Sequence, residues 1–362
     1  ITMLEIINSF AVEGRAAKCE RYGSGHINAT YRAEMEGGRA YILQRINDHI
    51  FRDVPALMAN ISAVTGHLRA KGLGSRRVLT LVPTKSGEHC LHIAAGENAG
   101  WYRMYEFITD AICLDQVETA DDFRQSAIGF GEFQRDLADF DASTLTETIP
   151  MFHDTQNRFR QLHDAIKADP FNRAKDVRRE IDFALAHEAQ AGEMLSMCRR
   201  GDLPLRVTHN DTKLNNVMLD AKTRRALCVI DLDTVMPGLA GNDFGDSIRF
   251  GASTAAEDER DLDRVWMNLD LFRTFAEGFL SACGARLCPA EIETLPLASK
   301  LMTLECGVRF LADHIQGDTY FRIHRENHNL DRARTQLKLV ADMEDKMDEM
   351  ARIVSGIAGC AK

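Results

Sequence analysis

The chain has 362 residues, 44 Lys and Arg against 54 Asp and Glu, and a hydrophobic share of 45%. These values describe an ordinary globular chain with room for two lobes and exclude fibrous, collagenous and disordered classes. A net charge of −10 offers no basic stripe for nucleic acid or an anionic membrane, so the expected partner is a small molecule. The nine cysteines are odd in number and scattered, without CxxC or zinc spacing, which fits a reducing, cytoplasmic setting. No stretch approaches the ~20 apolar residues of a bilayer span.

In chain order, residues 18–46 set two β-rich runs around Gly37-Gly38, which predicts an antiparallel hairpin preceded by a glycine-rich loop. Leu57, Ile61, Val64 and Leu68 fall at helical spacing within 53–71, and Gly72 and Gly74 follow as stop signals. Short strands are expected at 78–83 and 89–93, and a last one over 101–110, where the hinge between lobes is placed. Beyond it, 121–140, 157–169 and 177–200 read as amphipathic helices. Two short β-rich runs interrupt them at 204–234. Helices resume near 247, and Leu337, Val340, Met347 and Val354 share the apolar face of a C-terminal helix.

The chemistry concentrates in the interruption. Thr208-His209-Asn210-Asp211-Thr212-Lys213-Leu214-Asn215-Asn216 is followed, twenty residues after Asp211, by Ile230-Asp231-Leu232-Asp233. Phosphoryl transfer needs a carboxylate to accept the proton of the attacking hydroxyl and hard oxygen ligands for Mg²⁺. His209, Asp211 and Asn216 keep the kinase spacing H-x-D-x4-N, which makes Asp211 the catalytic base and Asn216 a metal ligand. Asp231, closing an apolar run, would be the main metal carboxylate, with Asp233 a second on the same strand face. The alternative is a set of turn and capping residues in a hairpin. Asp243-Phe244-Gly245 is a literal D-F-G, but it does not end the apolar strand, so the metal role stays with Asp231.

These residues, with YGSGHINATY (22–31), YILQRIN (41–47), LTETIPMFHDT (145–155), DFGDSIRFGAST (243–254) and ECGVRFLADHIQGDTYF (305–321), resemble the aminoglycoside phosphotransferase-like small-molecule kinases over nearly the whole chain. Within that family the longer blocks are similar to kinases acting on the anomeric hydroxyl of N-acetylhexosamines. The resemblance implies an α+β, bilobal protein-kinase-like fold, with a β-rich lobe at 1–107 and a larger, mostly helical lobe at 108–362. It also implies ATP and Mg²⁺ as cofactors and a sugar as substrate. Asp243 would then brace the catalytic loop.

Gly23, Ser24 and Gly25 would let backbone N–H groups approach the nucleotide phosphates. The resemblance places the adenine-binding hinge at Met104 to Ile108, with the backbone of Glu106 and Ile108 in contact. The protein-kinase pattern is broken at Gln44, which holds the register of the phosphate-binding Lys, and the helix at 53–71 offers no Glu as its partner. Gln44 acting as a neutral donor, or Arg45 or Lys213 supplying charge, would fill the gap.

For the acceptor, the blocks similar to the hexosamine kinases point to His26, Asp246, Phe250, Arg309 and Tyr320. Asp246 and Arg309 pairing with each other, Tyr320 and Phe250 as core aromatics, and His26 as a turn residue remain the structural alternatives. His153 and Asp154 read as local caps. Other acceptors of the family, or a nucleotide-binding pseudokinase, are the competing functions.

Overall fold

In a computed structural model, which describes residues 1–23, 25 and 27–360, the N-terminal part is built on a six-stranded antiparallel sheet. It opens with a short helix that the expected elements do not include, α1 (Met3–Asn8), started by a Thr2/Glu5 capping box. The strands are β1 (Ala16–Arg21), β2 (Ala29–Met35) and β3 (Ala40–Ile46), then, after helix α2 (Val54–Ala70), β4 (Leu81–Val82), β5 (Leu91–Ile93) and β6 (Gly100–Glu106). Their order is β1-β2-β3-β6-β4, with β5 also on β6. Gly38, at φ +84°, makes the β2–β3 turn that a side chain would resist. Asp53 caps α2, which buries Leu57, Ile61, Val64 and Leu68 as the periodicity required.

After the short strand β7 (Ala111–Ile112) the chain turns helical, with α3 (Ala120–Asp136), α4 (Thr155–Ala168), α5 (Arg178–Ala186) and α6 (Glu193–Arg199). The run expected as one helix over 177–200 is thus two. His187 closes α5 by turning its Nδ1 onto the Phe183 carbonyl, 2.7 Å away. Gly192 begins α6 where a Cβ would press on Gln156.

Strands β8 (Arg206–Thr208), β9 (Val217–Asp220), β10 (Ala226–Val229) and β11 (Met236–Gly238) carry the catalytic segment: β8 pairs with β11, and β9 lies between β10 and β7. Helix α7 (Ala240–Gly251) starts directly after β11, seven residues earlier than the apolar pattern suggested. The reason is that Gly241, Asn242 and Asp243 look like turn residues in isolation, whereas here Asp243 is buried against the catalytic loop.

The remaining helices are α8 (Leu269–Cys283), α9 (Pro289–Glu293), α10 (Leu295–Gln316), α11 (His328–Asp345) and α12 (Met347–Cys360). The single C-terminal helix expected from sequence breaks at Lys346, whose Nζ is drawn to Met267 O (2.9 Å). Helix α10 runs through the centre of the helical core. Gly241 and Gly245 on α7 lie so close to it that a Cβ on Gly245 would stand 2.5 Å from the Ala298 carbonyl oxygen. Among the described residues no helix is long and apolar enough to cross a membrane.

Candidate active site

The catalytic loop leaves β8 and is tied down almost atom by atom. Asp243 accepts from the His209 amide on Oδ2 and the Asn210 amide on Oδ1, both at 2.8 Å, and its own carbonyl accepts from Thr212 Oγ1 (2.7 Å). It braces the loop, as the resemblance implied. Burial raises its carboxyl above the ordinary 3.8, and the amide hydrogen bonds, which favour the ionised form, only limit that rise. The ring of His209 is buried, its Nε2 donating to Ile230 O (2.9 Å) and its Nδ1 accepting from the Asp211 amide (3.2 Å). Asn210, at φ +69°, reverses the chain, a conformation Asn tolerates better than most residues. Its side chain donates to Thr234 O (2.9 Å).

With these groups engaged, the Asp211 carboxylate is left 25% exposed, with Lys213 Nζ at 3.9 Å. Asn216 donates Nδ2 to Asp211 O (2.8 Å), which leaves its amide oxygen as the remaining ligand atom.

Asp231 follows β10 in the left-handed conformation, φ +57° and ψ +69°. It keeps an open surface while protein surrounds its other sides. That crowding, then the charges of Asp233 and Asp211, pushes its carboxyl up to about 7. A carboxylate so poorly neutralised, beside Asp211 and an amide oxygen, fits a hard divalent cation. Among the described residues no three His, Cys, Asp or Glu side chains form a complete cage, so phosphate oxygens and water would complete a Mg²⁺ shell, its usual mode of binding.

Asp233 is placed differently from the expectation of a second metal carboxylate on one strand face. The left-handed Asp231 and the tight turn over Leu232–Thr234 end the strand, so alternation no longer applies. Arg103 instead grips both Asp233 oxygens, and Asn28 Nδ2 donates to Oδ2 at 2.6 Å.

On the nucleotide side, Gly23 adopts φ +72°, and a Cβ on Gly25 would meet nothing closer than 3.8 Å. Ser24 and His26 lie outside the described residues. Gln44 sits between Thr30 and Arg103, whereas Arg45 points to the opposite face and binds Ala99 O, which removes it as a phosphate cation. At the hinge the Glu106 amide is already donated to Thr80 O (2.9 Å), so only its carbonyl and the Ile108 peptide remain for an adenine edge.

The acceptor side is framed by α7 and α10. Asp246 and Phe250 are four apart on the α7 face that carries Asp243. Asp246 does not pair with Arg309. It accepts from Arg249 Nε (3.0 Å) and the Thr212 amide (3.2 Å), and Arg249 in turn binds Glu257. Arg309 stacks on Phe152, Tyr320 and Phe321 at 5.6, 5.8 and 5.3 Å. Tyr320 is 62% exposed and so is no core aromatic. Phe250 is half-buried.

The sequence reading missed how α10 organises this region through Glu305, Arg309 and Asp313, one turn apart. Asp313 accepts from the Thr319, Tyr320 and Phe321 amides, setting the turn that presents the aromatic rings. Glu305 Oε2 lies 2.7 Å from His153 Nδ1, while His153 Nε2 lies 2.9 Å from Asn210 O. Asp154 caps α4 as expected, but His153 is a strut beneath the catalytic loop.

Both ring nitrogens of His153 face acceptors, which requires an imidazolium. Burial opposes that charge, yet the Glu305 carboxylate outweighs it and His153 titrates above 6.5. Glu305 is likewise pulled below 4.5 against its burial. The pair's stabilisation is therefore complete between about pH 4.5 and 6.5, is lost as pH rises through the elevated His153 value, and is lost as pH falls through the depressed Glu305 value. Urea midpoints measured from pH 5 to 9 should decline on the alkaline side in the wild type and decline less in His153→Gln; parallel curves would contradict the imidazolium.

A family model described as the phosphotransferase enzyme family matches residues 18–271, more than half of the chain. The chain belongs to this phosphotransferase family. Solved structures with the same protein-kinase-like fold include a microcompartment-associated aminopropanol kinase (TM-score 0.61, 15% identity, covering 96% of this chain and 97% of that one). Another is an aminoglycoside phosphotransferase from Alicyclobacillus acidocaldarius (0.61, 13%, 98% and 97%). A third is an amicoumacin kinase in complex with AMP-PNP, Ca²⁺ and Ami (0.63, 13%, 95% and 92%). At such identities the likeness speaks to the fold. As a member of the family the chain is a phosphotransferase.

Proposed function

We propose that this phosphotransferase transfers the γ-phosphoryl group of ATP to the anomeric hydroxyl of an N-acetylhexosamine, GlcNAc or GalNAc, giving ADP and the α-sugar 1-phosphate. In this reading residues 1–107 form the nucleotide-side lobe and 108–362 carry the catalytic loop and acceptor site. The observation that supports a neutral acceptor is the charge around Arg309. Asp246 and Glu305 are already paired with Arg249 and His153, and among the described residues Arg309 has no carboxylate partner. Arg158 shares the Phe152 ring with it. Burial, and after it the Arg309 charge, push Arg158 down to about 10. A second cation here already weakens the first, so an ammonium acceptor such as choline or an aminoglycoside meets repulsion. A sugar offers hydroxyls to Arg309 and Asp246 and an apolar face to Phe250 and Tyr320.

In the reaction Asp211 orients the anomeric hydroxyl and takes its proton as the oxygen attacks the γ-phosphorus and the bond to ADP breaks. The C1–O bond stays intact, so the anomeric configuration is retained. Asn216 and Asp231 would hold Mg²⁺, which when bound neutralises the phosphates. Lys213 lies next to the attacking side. Because the transition state is loose, positioning and electrostatics carry the catalysis.

The test is ADP release with Mg·ATP and a panel of GlcNAc, GalNAc, glucose, galactose, choline and kanamycin, with phosphorus NMR of the product. Turnover on the two N-acetyl sugars with an anomeric phosphate signal is expected. Turnover on choline or kanamycin alone would replace the sugar reading by another acceptor, and ATP binding without turnover would make the chain a pseudokinase.

A further inference from the structure

The residue that breaks the kinase pattern, Gln44, has a neighbour that accounts for it. Gln44 on β3 and Arg103 on β6 are direct cross-strand partners, so their side chains leave one face of the sheet side by side. Arg103 is 1% exposed, yet each of its three nitrogens has a defined neighbour. Nε donates to Gln44 Oε1 at 2.9 Å, and Nη1 and Nη2 hold the two oxygens of Asp233. Asn28, at the end of the glycine-rich loop, donates to the same carboxylate, and its side-chain Oδ1 accepts from the Asn47 amide (2.9 Å).

A guanidinium has donors only, so it must meet the oxygen of the Gln44 carboxamide. That fixes which way the amide lies. Its Nε2 is turned toward Thr30 Oγ1 (3.0 Å), just after the glycine-rich loop, and among the described residues one of its two N–H groups remains for a ligand. Arg103 and Asp233 neutralise each other, so the sheet offers the phosphates an oriented neutral donor where a lysine would offer charge. The same grip divides the two aspartates after β10, holding Asp233 inward and leaving Asp231 open.

We propose that Arg103 is the positioning residue that takes over from the absent strand lysine, aiming Gln44 at the nucleotide phosphates and withdrawing Asp233 so that Asp231 alone of the pair serves the divalent ion. The inference rests on the ATP-dependent reading above. It also joins the N-terminal sheet to the catalytic segment through one buried ion pair, where the usual lysine partner is a helix glutamate of the same lobe.

The decisive measurement is calorimetric binding of Mg·AMP-PNP to the intact protein without acceptor. Gln44→Glu keeps an acceptor for Arg103 but replaces the ligand-facing donor by an anionic oxygen. It should leave the unfolding midpoint near wild type and raise Kd about ten- to a hundredfold, the worth of a hydrogen bond to a charged group. Arg103→Met should weaken binding at least as much, and Arg103→Met/Gln44→Leu should bind no worse than Arg103→Met alone, because the two act in series. Arg103→Met leaves Asp233 buried without its cation; should that variant not fold, Gln44→Glu decides by itself. Binding by Gln44→Glu within twofold of wild type, or additive losses in the double variant, would overturn the proposal while the kinase reading stands. Absence of Mg·AMP-PNP binding by the wild type would overturn both.

Discussion

Asp211→Asn should lower kcat by about a thousandfold, within the ~10²–10⁴ range of a positioned general base, while nucleotide affinity stays within about threefold of wild type. The geometry explains the split. The Asp211 amide is held by His209 and its carbonyl by Asn216, so the substitution leaves the loop backbone in place and changes only the carboxylate beside Lys213. An amide in that position cannot take the proton of the attacking hydroxyl. Steady-state kinetics paired with equilibrium nucleotide binding would show it. A variant that turns over like wild type would take the base role away from Asp211, and one that loses nucleotide binding in equal measure would make Asp211 a binding residue.

The second large effect is expected at Asp243, which touches no reacting atom. Asp243→Ala removes the acceptors of two buried amides, those of His209 and Asn210. Each orphaned donor costs about 1–3 kcal/mol, so a loss of roughly 2–6 kcal/mol is expected, together with a fall in kcat as large as that of a catalytic residue. Asp243→Asn should be intermediate, since its carboxamide can accept from one amide only and presents a donor to the other. Urea unfolding followed beside kcat tests this. Lost activity at wild-type stability would mean that Asp243 acts on the chemistry directly and not through the loop.

The catalytic loop could be read from sequence because its chemistry is written in neighbouring residues at fixed spacing, and the same holds for the hairpin and α2, whose turn and periodicity are local. Asp233 was misplaced because a D-x-D was read with strand alternation, which the left-handed backbone of Asp231 cancels. The partners that settle the site are far apart in the chain: Arg103 and Asp233 are 130 residues apart, Asn28 and Asp233 205, and His153 and Glu305 152. No periodicity announces such pairs. Asp313 was hidden for another reason, since a polar residue near a helix end looks solvated until the turn it organises folds back over it. The ion pair between Asp246 and Arg309 that stood as the alternative to sugar contact does not form, because Arg249 lies nearer to the one and three aromatic rings to the other.

The near-contact of Gly245 with the Ala298 backbone governs how this protein can acquire new acceptors. Helix α7, with Asp246 and Phe250, cannot slide or accept a larger residue at that crossing without pushing α10, and α10 carries the supports of the catalytic loop. Laboratory evolution toward other acceptors should therefore gather its productive substitutions in the turn around Tyr320 and Phe321 and at Phe250 itself. The α7–α10 seam should stay silent in such libraries. In the proposed reading α10 carries both a support of the catalytic loop, Glu305, and Arg309 on the acceptor side, so room to vary is left at Phe250 and in the turn that follows α10.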